Sequence, residues 1–181
     1  MNGIDVDVSW HTLESGQGEL WAFPNAVTRY MRDQYGGPAL YRWCVTGPGN
    51  DEPQMIYIGE AVNLIRRVRN VLRPGKLKTA ARLNAIFRGE VDRGNRVTIA
   101  RAEFQDFSFN GVTFSTQDGS LYHKFKRCAL ENLFLCSYLG IGKRLLNLRT
   151  EPREYFMKRF VANCVSKSVA QDMANAIPEN Y

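Results

Sequence analysis

The stretch from Ala39 to Arg67 constrains the fold more strongly than any other part of this chain. It contains two short segments rich in tyrosine, tryptophan, valine and isoleucine, which flank the polar cluster TGPGNDEP. Apolar, β-prone segments around a cluster of turn-forming residues predict a β-hairpin. Residues 61–72 follow at helical spacing, with Ile65, Val68 and Leu72 on one stripe and arginines away from it. The stretch therefore predicts strand, turn, strand and helix, in that order.

The rest of the chain predicts further helices and one more long strand. Lys78 to Glu90 and Leu121 to Leu139 have helical patterns, and a glycine follows the second of them. Arg96 to Phe104 has the β-branched content of a third strand, but its alternation does not show which face is buried. Three phenylalanines around Asn110-Gly111 predict a small hairpin, with a DNA-intercalating wedge as the alternative.

These elements predict an α/β (α+β) fold in which helices flank a small, three-stranded, mostly antiparallel sheet. With 181 residues the chain is long enough for one ordinary core, and we interpret residues 1–181 as a single domain. Residues 38–148 form the predicted core. Residues 1–37 form an N-terminal extension, and residues 149–181 form a C-terminal helical extension.

Positive charge is concentrated in the middle of the chain. The net charge is +6, but residues 61–101 carry eleven arginines and lysines against two acidic residues, whereas residues 1–60 have a net charge of −5. Such a basic segment is typical of a surface that binds phosphates, although a solvated helical surface is the alternative. The candidate DNA-binding residues are Arg66, Arg69, Arg73, Lys76, Lys78, Arg82, Lys124 and Lys126.

The composition argues against a membrane protein and against a zinc site. No apolar run approaches the roughly 20 residues that a membrane-spanning helix needs. The N-terminal residues, MNGIDVDVSWH, lack the pattern of a signal peptide. None of the four cysteines belongs to a C-x-x-C pair, and the chain has two histidines, so structural zinc is not expected. We therefore expect a cytoplasmic protein with free thiols and no membrane partner.

The stretch from Ala39 to Arg67 also resembles the catalytic core of the GIY-YIG nuclease superfamily. The second half of the family's motif is present as Tyr57-Ile58-Gly59. The first half appears as Ala39-Leu40-Tyr41, with alanine in place of the first glycine. In the family, an arginine on the following helix lies eight residues after the second glycine, and that position is Arg67 here.

Two residues further along the chain extend the resemblance. Glu131, in ALENLFL, matches the family's metal-binding glutamate, and Asn147, in RLLNLR, matches its closing asparagine. The resemblance implies that Glu131 binds Mg²⁺ (or Mn²⁺) and that Asn147 supports the site through hydrogen bonds. From the residues alone, the alternatives are an ion pair between Glu131 and Arg127, and a turn-forming role for Asn147.

The resemblance also gives roles to the two tyrosines and the arginine. Tyr41 would be the general base, and Tyr57 would orient the attacking water or the phosphate. Because a tyrosine has an ordinary pKa of about 10, a base at this position needs Arg67 and other cations to lower that pKa. The planar Arg67 guanidinium would hold two phosphate oxygens. The alternative is one more surface arginine on a basic helix.

Taken together, the resemblance implies a Mg²⁺-dependent endonuclease that hydrolyses double-stranded DNA, with sequence-specific cleavage of the restriction or phage type. The resemblance to restriction-type members, in which each chain has one active site and both strands are cut, also implies a homodimer. The alternative is a catalytically inactive DNA-binding protein of the same fold. Two departures from the family pattern favour that alternative: Ala39 replaces a glycine, and Val71 stands where many members have a histidine.

Overall fold

The computed structural model describes residues 8–16, 18–109, 112–117, 119–140 and 144–147 of the chain. The strands and helices in these residues are, in chain order, β1 (Val8–Thr12), β2 (Glu14–Gly16), β3 (Glu19–Leu20), α1 (Arg29–Tyr35), β4 (Ala39–Thr46), β5 (Met55–Ala61), α2 (Leu64–Leu72), α3 (Lys78–Asp92), β6 (Arg96–Phe104), β7 (Phe107–Phe109), β8 (Val112–Phe114), α4 (Lys124–Gly140) and β9 (Arg144–Leu145). A 3₁₀ turn, Ser120–Tyr122, precedes α4. The predicted C-terminal helical extension lies outside the described residues. None of the helices in the described ranges is long and apolar enough to cross a membrane.

Five strands form one mixed sheet in the order β1-β6-β4-β5-β9. β4 pairs antiparallel with both β5 and β6, and β1 pairs antiparallel with β6. β9 is parallel to β5 and contributes two residues. The mixed α/β character is confirmed, but the prediction of three strands was wrong by two. β1 falls in the predicted N-terminal extension, and a strand as short as β9 has no periodicity to detect.

Both faces of the sheet are covered. The first face packs on α2, α3 and the N-terminal segment, and residues from all of these form one core with Trp43 of β4. The second face packs on α4 and on the segment that contains β8. β6 contributes Val97 and Ile99 to the first core, and Ala102 and Phe104 to the second. Because both faces of this strand are buried, its alternation could not identify a single buried face.

The β4–β5 hairpin and α2 form where the sequence predicted them. The two strands pair from Ala39 opposite Ala61 to Val45 opposite Met55. α2 begins three residues later than predicted, because Ala61 still belongs to β5 and Asn63 caps the helix. The Asn63 side-chain oxygen accepts a hydrogen bond of 2.7 Å from the backbone N–H of Arg66. The predicted helix over 78–90 is also confirmed, as α3.

Two phenylalanines of the β7–β8 hairpin, Phe107 and Phe114, pack towards the second core. Phe107 stacks on Phe114 with a centroid distance of 5.0 Å, and it contacts Phe104 edge-on at 5.8 Å. Phe114 and Phe104 are both buried. The predicted hairpin is thus confirmed, and these rings are engaged in packing rather than presented as a wedge for DNA.

Candidate functional site

Two tyrosines and one arginine meet on the first face of the sheet. Tyr41 lies on β4 and Tyr57 on β5, with a centroid distance of 6.4 Å between their rings. Arg67, on α2, donates from Nε to the Tyr41 hydroxyl at 2.8 Å and from Nη2 to the Tyr57 hydroxyl at 3.4 Å. Three of the residues that the sequence predicted as catalytic are therefore in direct contact.

Gly59 makes room for this arrangement. It lies directly opposite Tyr41 in the hairpin register, and the Tyr41 ring crosses over it. A Cβ atom at residue 59 would lie 2.6 Å from Cζ of Tyr41 and 3.0 Å from Cε1 of Tyr57. Real Cβ atoms do not come so close to ring carbons, so any larger residue would displace the tyrosine that contacts Arg67. This is a local physical reason for the glycine in the Tyr57-Ile58-Gly59 sequence.

Burial determines the protonation state of Tyr41. Its side chain is 1% exposed. Burial and the neighbouring Tyr57 raise the pKa of Tyr41 well above its usual value, and the opposing influence of Arg67 does not compensate. The expectation that Arg67 would lower this pKa enough to make a base at neutral pH is therefore wrong. Tyr41 is a neutral hydroxyl that accepts a hydrogen bond from Arg67.

Arg67 keeps its positive charge inside the protein. Burial by itself lowers the pKa of this half-buried guanidinium, but Tyr41 and Tyr57 outweigh that influence and raise the pKa. The ion pairs within the described ranges join other residues, and none of them involves Arg67. A fixed guanidinium whose partners are hydroxyl groups is suited to bind an anion.

The tyrosines and Arg67 line an open cleft of about 600 Å³ at the C-terminal end of β5. α2, the beginning of α3 and α4 also contribute to its lining. The predicted site residues that line the cleft are Tyr41, Tyr57, Arg66, Arg67, Lys78, Lys124 and Glu131. The fold therefore brings cations from three helices next to the one carboxylate that was predicted to bind metal.

The other predicted DNA-binding residues lie outside the cleft lining. Arg69, Arg73 and Lys76 are exposed on α2 and the loop that follows it. Arg82 is partly buried, and its Nε is enclosed with no hydrogen-bond partner in the described part of the chain. Lys126 donates to the Ser120 hydroxyl at 3.0 Å. Arg69, Arg73 and Lys76 are therefore solvent-exposed cations, whereas Lys126 is hydrogen-bonded within the protein and Arg82 is partly enclosed.

Glu131 is half-buried on α4, and its charge reaches the tyrosine cluster, where it contributes to the raised pKa of Tyr41. Within the described ranges, no group of three or more His, Cys, Asp or Glu side chains could hold a metal ion. A site with one carboxylate fits Mg²⁺, which keeps several waters and takes further ligands from a substrate phosphate. It does not fit a metal held by protein ligands alone.

Asn147 supports the edge of the sheet next to the tyrosines. Its Oδ1 accepts a hydrogen bond from the backbone N–H of Ile58 at 3.0 Å, and its Nδ2 donates to the Ile58 carbonyl at 2.8 Å. β9 pairs with β5 at Met55 and Ile56. The side-chain amide of Asn147 continues this pairing two residues further along β5, at Ile58. This contact fixes the residue between Tyr57 and Gly59.

The sequence interpretation missed an ion pair that joins β5 to α4. Arg127 donates from Nε to Oε2 of Glu60 at 2.7 Å, and its side chain is 5% exposed. Its Nη1 also donates to the carbonyl oxygens of Leu121 at 2.6 Å and Tyr122 at 3.0 Å. The alternative pairing of Arg127 with Glu131 therefore does not describe this guanidinium. No sequence pattern connects Glu60 with a residue so far along the chain, although it directly follows the matched Gly59.

Comparisons with protein-family models, with curated proteins and with solved structures found no match to this chain. The geometry of the cleft is therefore the evidence for its function. The cleft combines the guanidinium group of Arg67, which can donate hydrogen bonds to a phosphate, with the hydroxyl group of Tyr57 and the carboxylate of Glu131. These are the group types that hydrolysis of a phosphodiester requires.

Proposed function

We propose that this chain is a Mg²⁺-dependent endonuclease that hydrolyses phosphodiester bonds of double-stranded DNA, as its resemblance to the GIY-YIG nucleases implies. The observation that carries the proposal is the position of Arg67, a charged side chain whose recorded hydrogen-bond partners are neutral hydroxyl groups. Its guanidinium is held by two tyrosine hydroxyls and lines a cleft with Arg66, Lys78 and Lys124. A buried charge is costly unless it is compensated. An anionic substrate in this cleft would compensate it.

Arg67 would bind the scissile phosphate. Tyr41 and Tyr57 occupy two of its N–H donors, and the remaining donors of the guanidinium are those available to non-bridging phosphate oxygens. Because the tyrosines fix the plane of the group before substrate binds, Arg67 needs little reorganisation when charge develops in the transition state.

We propose for Tyr41 a different role from the base that the resemblance implied. It is buried and stays protonated, so we propose that it positions Arg67. Tyr57 lines the cleft and would orient the attacking water or the phosphate. Glu131 would hold Mg²⁺, which when bound lowers the pKa of a coordinated water and stabilises charge on the phosphate.

The exposed cations around the cleft would contact neighbouring phosphates. Arg69, Arg73 and Lys76 extend the basic surface away from the cleft along α2 and would contribute to affinity without reading sequence. Sequence-specific cleavage of a restriction or phage type, and a homodimer that cuts both strands, belong to the same proposal because the resemblance implies them.

Two observations favour the alternative, a DNA-binding protein that does not cleave. Burial raises the pKa of Tyr41 well above its usual value, which disfavours a general base at this residue, and the second carboxylate that lines the cleft, Glu60, is paired with Arg127. Such a protein would bind duplex DNA in a salt-sensitive manner whether or not Mg²⁺ is present. Metal-dependent cleavage separates the two functions.

The test is cleavage of unmethylated, sequence-diverse plasmid DNA by the full chain, with Mg²⁺ and with EDTA. Glu131→Gln removes the proposed metal ligand at nearly constant size, and Glu19→Gln changes an exposed glutamate of β3 as the matched control. We expect Mg²⁺-dependent fragments from the wild type and the control, and no cleavage by Glu131→Gln. A smear would indicate a nonspecific nuclease. Salt-sensitive binding without cleavage would support the alternative.

A further inference from the structure

Exposed apolar side chains border the basic cleft. Five large hydrophobic residues are exposed within the described ranges. Val62 and Leu77, which are 45% and 49% exposed, line the cleft itself. Tyr122 is 67% exposed, and its carbonyl oxygen is bound to Arg127 of the cleft lining. Single exposed hydrophobic residues are common on proteins. Here, however, two of them line one cationic cleft, and the third, Tyr122, is joined through its backbone carbonyl to Arg127, which also lines that cleft.

The backbone that carries Tyr122 is fixed even though its ring is exposed. Gly119, at φ +79°, begins the 3₁₀ turn, and Leu121 in the middle of that turn is buried in the second core. Arg127 binds the carbonyl oxygens of both Leu121 and Tyr122, and its own guanidinium is anchored by Glu60. An aromatic side chain on a fixed backbone loses little conformational entropy when a ligand packs on it.

Phosphate binding alone does not explain these apolar side chains. A paired duplex presents phosphates, sugars and the edges of its bases to a surface, and the faces of the bases are stacked inside. An aromatic ring can stack on a base face only where that base leaves the stack, and such stacking is favourable for every base type. The cleft volume of about 600 Å³ also falls within the range of sites that enclose a whole small ligand.

We propose that the cleft accepts a DNA strand with an unstacked nucleotide, whose base packs on Tyr122 beside Val62 and Leu77 while an adjacent phosphate meets Arg67. The inference rests on the proposed function and narrows its substrate class. DNA that already contains an unpaired nucleotide binds more tightly than the same paired duplex, because the cost of unstacking a base has been removed.

The experiment compares two fluorescein-labelled DNAs of one sequence, a fully paired duplex and a duplex with a short single-stranded bulge. Anisotropy titrations of the full chain in EDTA give the dissociation constants without cleavage. We expect the wild type to prefer the bulged DNA by about five-fold or more, which is the smallest effect expected for one stacked base. Tyr122→Ala should lose this preference and Tyr122→Trp should keep it. Tyr30→Ala, at an exposed tyrosine of α1, should match the wild type.

The possible outcomes distinguish a failure of this inference from a failure of the proposed function on which it rests. Equal affinity of the wild type for both DNAs, with salt-sensitive binding intact, overturns the inference and leaves the proposed function standing. An undiminished preference in Tyr122→Ala also overturns the inference. Absence of salt-sensitive binding to either DNA overturns both. Thermal melts of each variant followed by circular dichroism show whether a lost preference reflects a lost fold, and Tyr122→Trp provides a second reading at the same position.

Discussion

Two arginines line the same cleft and have opposite surroundings. Arg127, on α4, is bound to the Glu60 carboxylate and to two backbone carbonyl oxygens. Arg67, on α2, is bound to two tyrosine hydroxyls, and no ion pair in the described ranges includes it. The charge of Arg127 is neutralised within the protein. The charge of Arg67 is positioned but not neutralised.

Under the proposed function, this difference separates a structural cation, Arg127, from a cation that binds substrate, Arg67. Arg127 joins the strand that carries Tyr57 to the helix that carries Glu131, so its contribution is to the geometry of both. Arg67 gains nothing comparable from the fold, since hydroxyl groups compensate a buried charge less well than a carboxylate does. If this distinction is correct, substitution of Arg127 should mainly reduce stability, and substitution of Arg67 should mainly reduce cleavage.

The largest effect on stability is expected from Arg127→Met. The substitution leaves the Glu60 carboxylate, 22% exposed, without its partner, and we expect a loss of about 3 kcal/mol in the free energy of unfolding. Urea unfolding measures this loss. Glu60→Gln in the same protein should recover part of it, because the unpaired charge is then removed as well. A loss below about 1 kcal/mol would show that Arg127 is not the structural cation of the pair.

The next largest effect is expected from Gly59→Ala. The new methyl group overlaps the Tyr41 ring, so we expect a loss of about 1–3 kcal/mol in stability together with reduced cleavage as Arg67 loses its position. Gly37→Ala is the matched control, because a Cβ at residue 37 would meet no atom within 4 Å. Wild-type stability and cleavage in Gly59→Ala would contradict the geometry described for Tyr41.

A smaller effect is expected from Tyr41 at alkaline pH. In the folded protein the pKa of Tyr41 lies above 10.0, its value in the unfolded chain. Between the two values the folded protein retains a proton that the unfolded chain has released. The stability from Tyr41 is therefore complete below the unfolded pKa and decreases as pH rises through the folded pKa, by about 1.4 kcal/mol per pH unit at most. The free energy of unfolding should be measured with denaturant at pH values below and above the pKa of tyrosine in the unfolded chain. It should decrease more steeply with pH for the wild type than for Tyr41→Phe. Tyr122→Phe, at an exposed residue, is the control, and parallel profiles for wild type and Tyr41→Phe would contradict the prediction.

The smallest effect on stability is expected from Arg67→Ala. The substitution removes two hydrogen bonds, but it also removes a half-buried charge, and water can enter the open cleft to reach the hydroxyl of Tyr57. We expect a change of about 1 kcal/mol or less, measured by urea unfolding beside Arg127→Met. Equal losses for both arginines would remove the distinction between them.

The sequence predicted what local patterns control. The β4–β5 hairpin, α2, α3 and β6 each have their own periodicity or turn residues, and all were found. The start of α2 was misplaced because Asn63 as a cap competes with the apolar spacing that begins at Ala61. The strands β1 and β9 were not assigned to the predicted sheet, because their pairing depends on distant segments.

The sequence predicted which candidate residues would lie on neighbouring elements, but it did not predict their electrostatic environment. The motif spacing placed Tyr41, Tyr57 and Arg67 correctly on neighbouring elements. The raised pKa of Tyr41 follows from burial under α2 and the N-terminal segment, which no local pattern shows. The Glu60–Arg127 pair likewise exists only because the sheet and α4 pack together.

The most direct test of the central claim is plasmid cleavage in Mg²⁺ by Arg67→Ala, compared with the wild type and with Arg32→Ala, which changes an exposed arginine of α1. If Arg67 stabilises charge on the scissile phosphate, Arg67→Ala should cleave about 10²–10³-fold more slowly. Arg32→Ala should cleave at the wild-type rate. Equal rates for all three proteins, with each shown to be folded, would contradict the claim that Arg67 is the functional cation of this cleft.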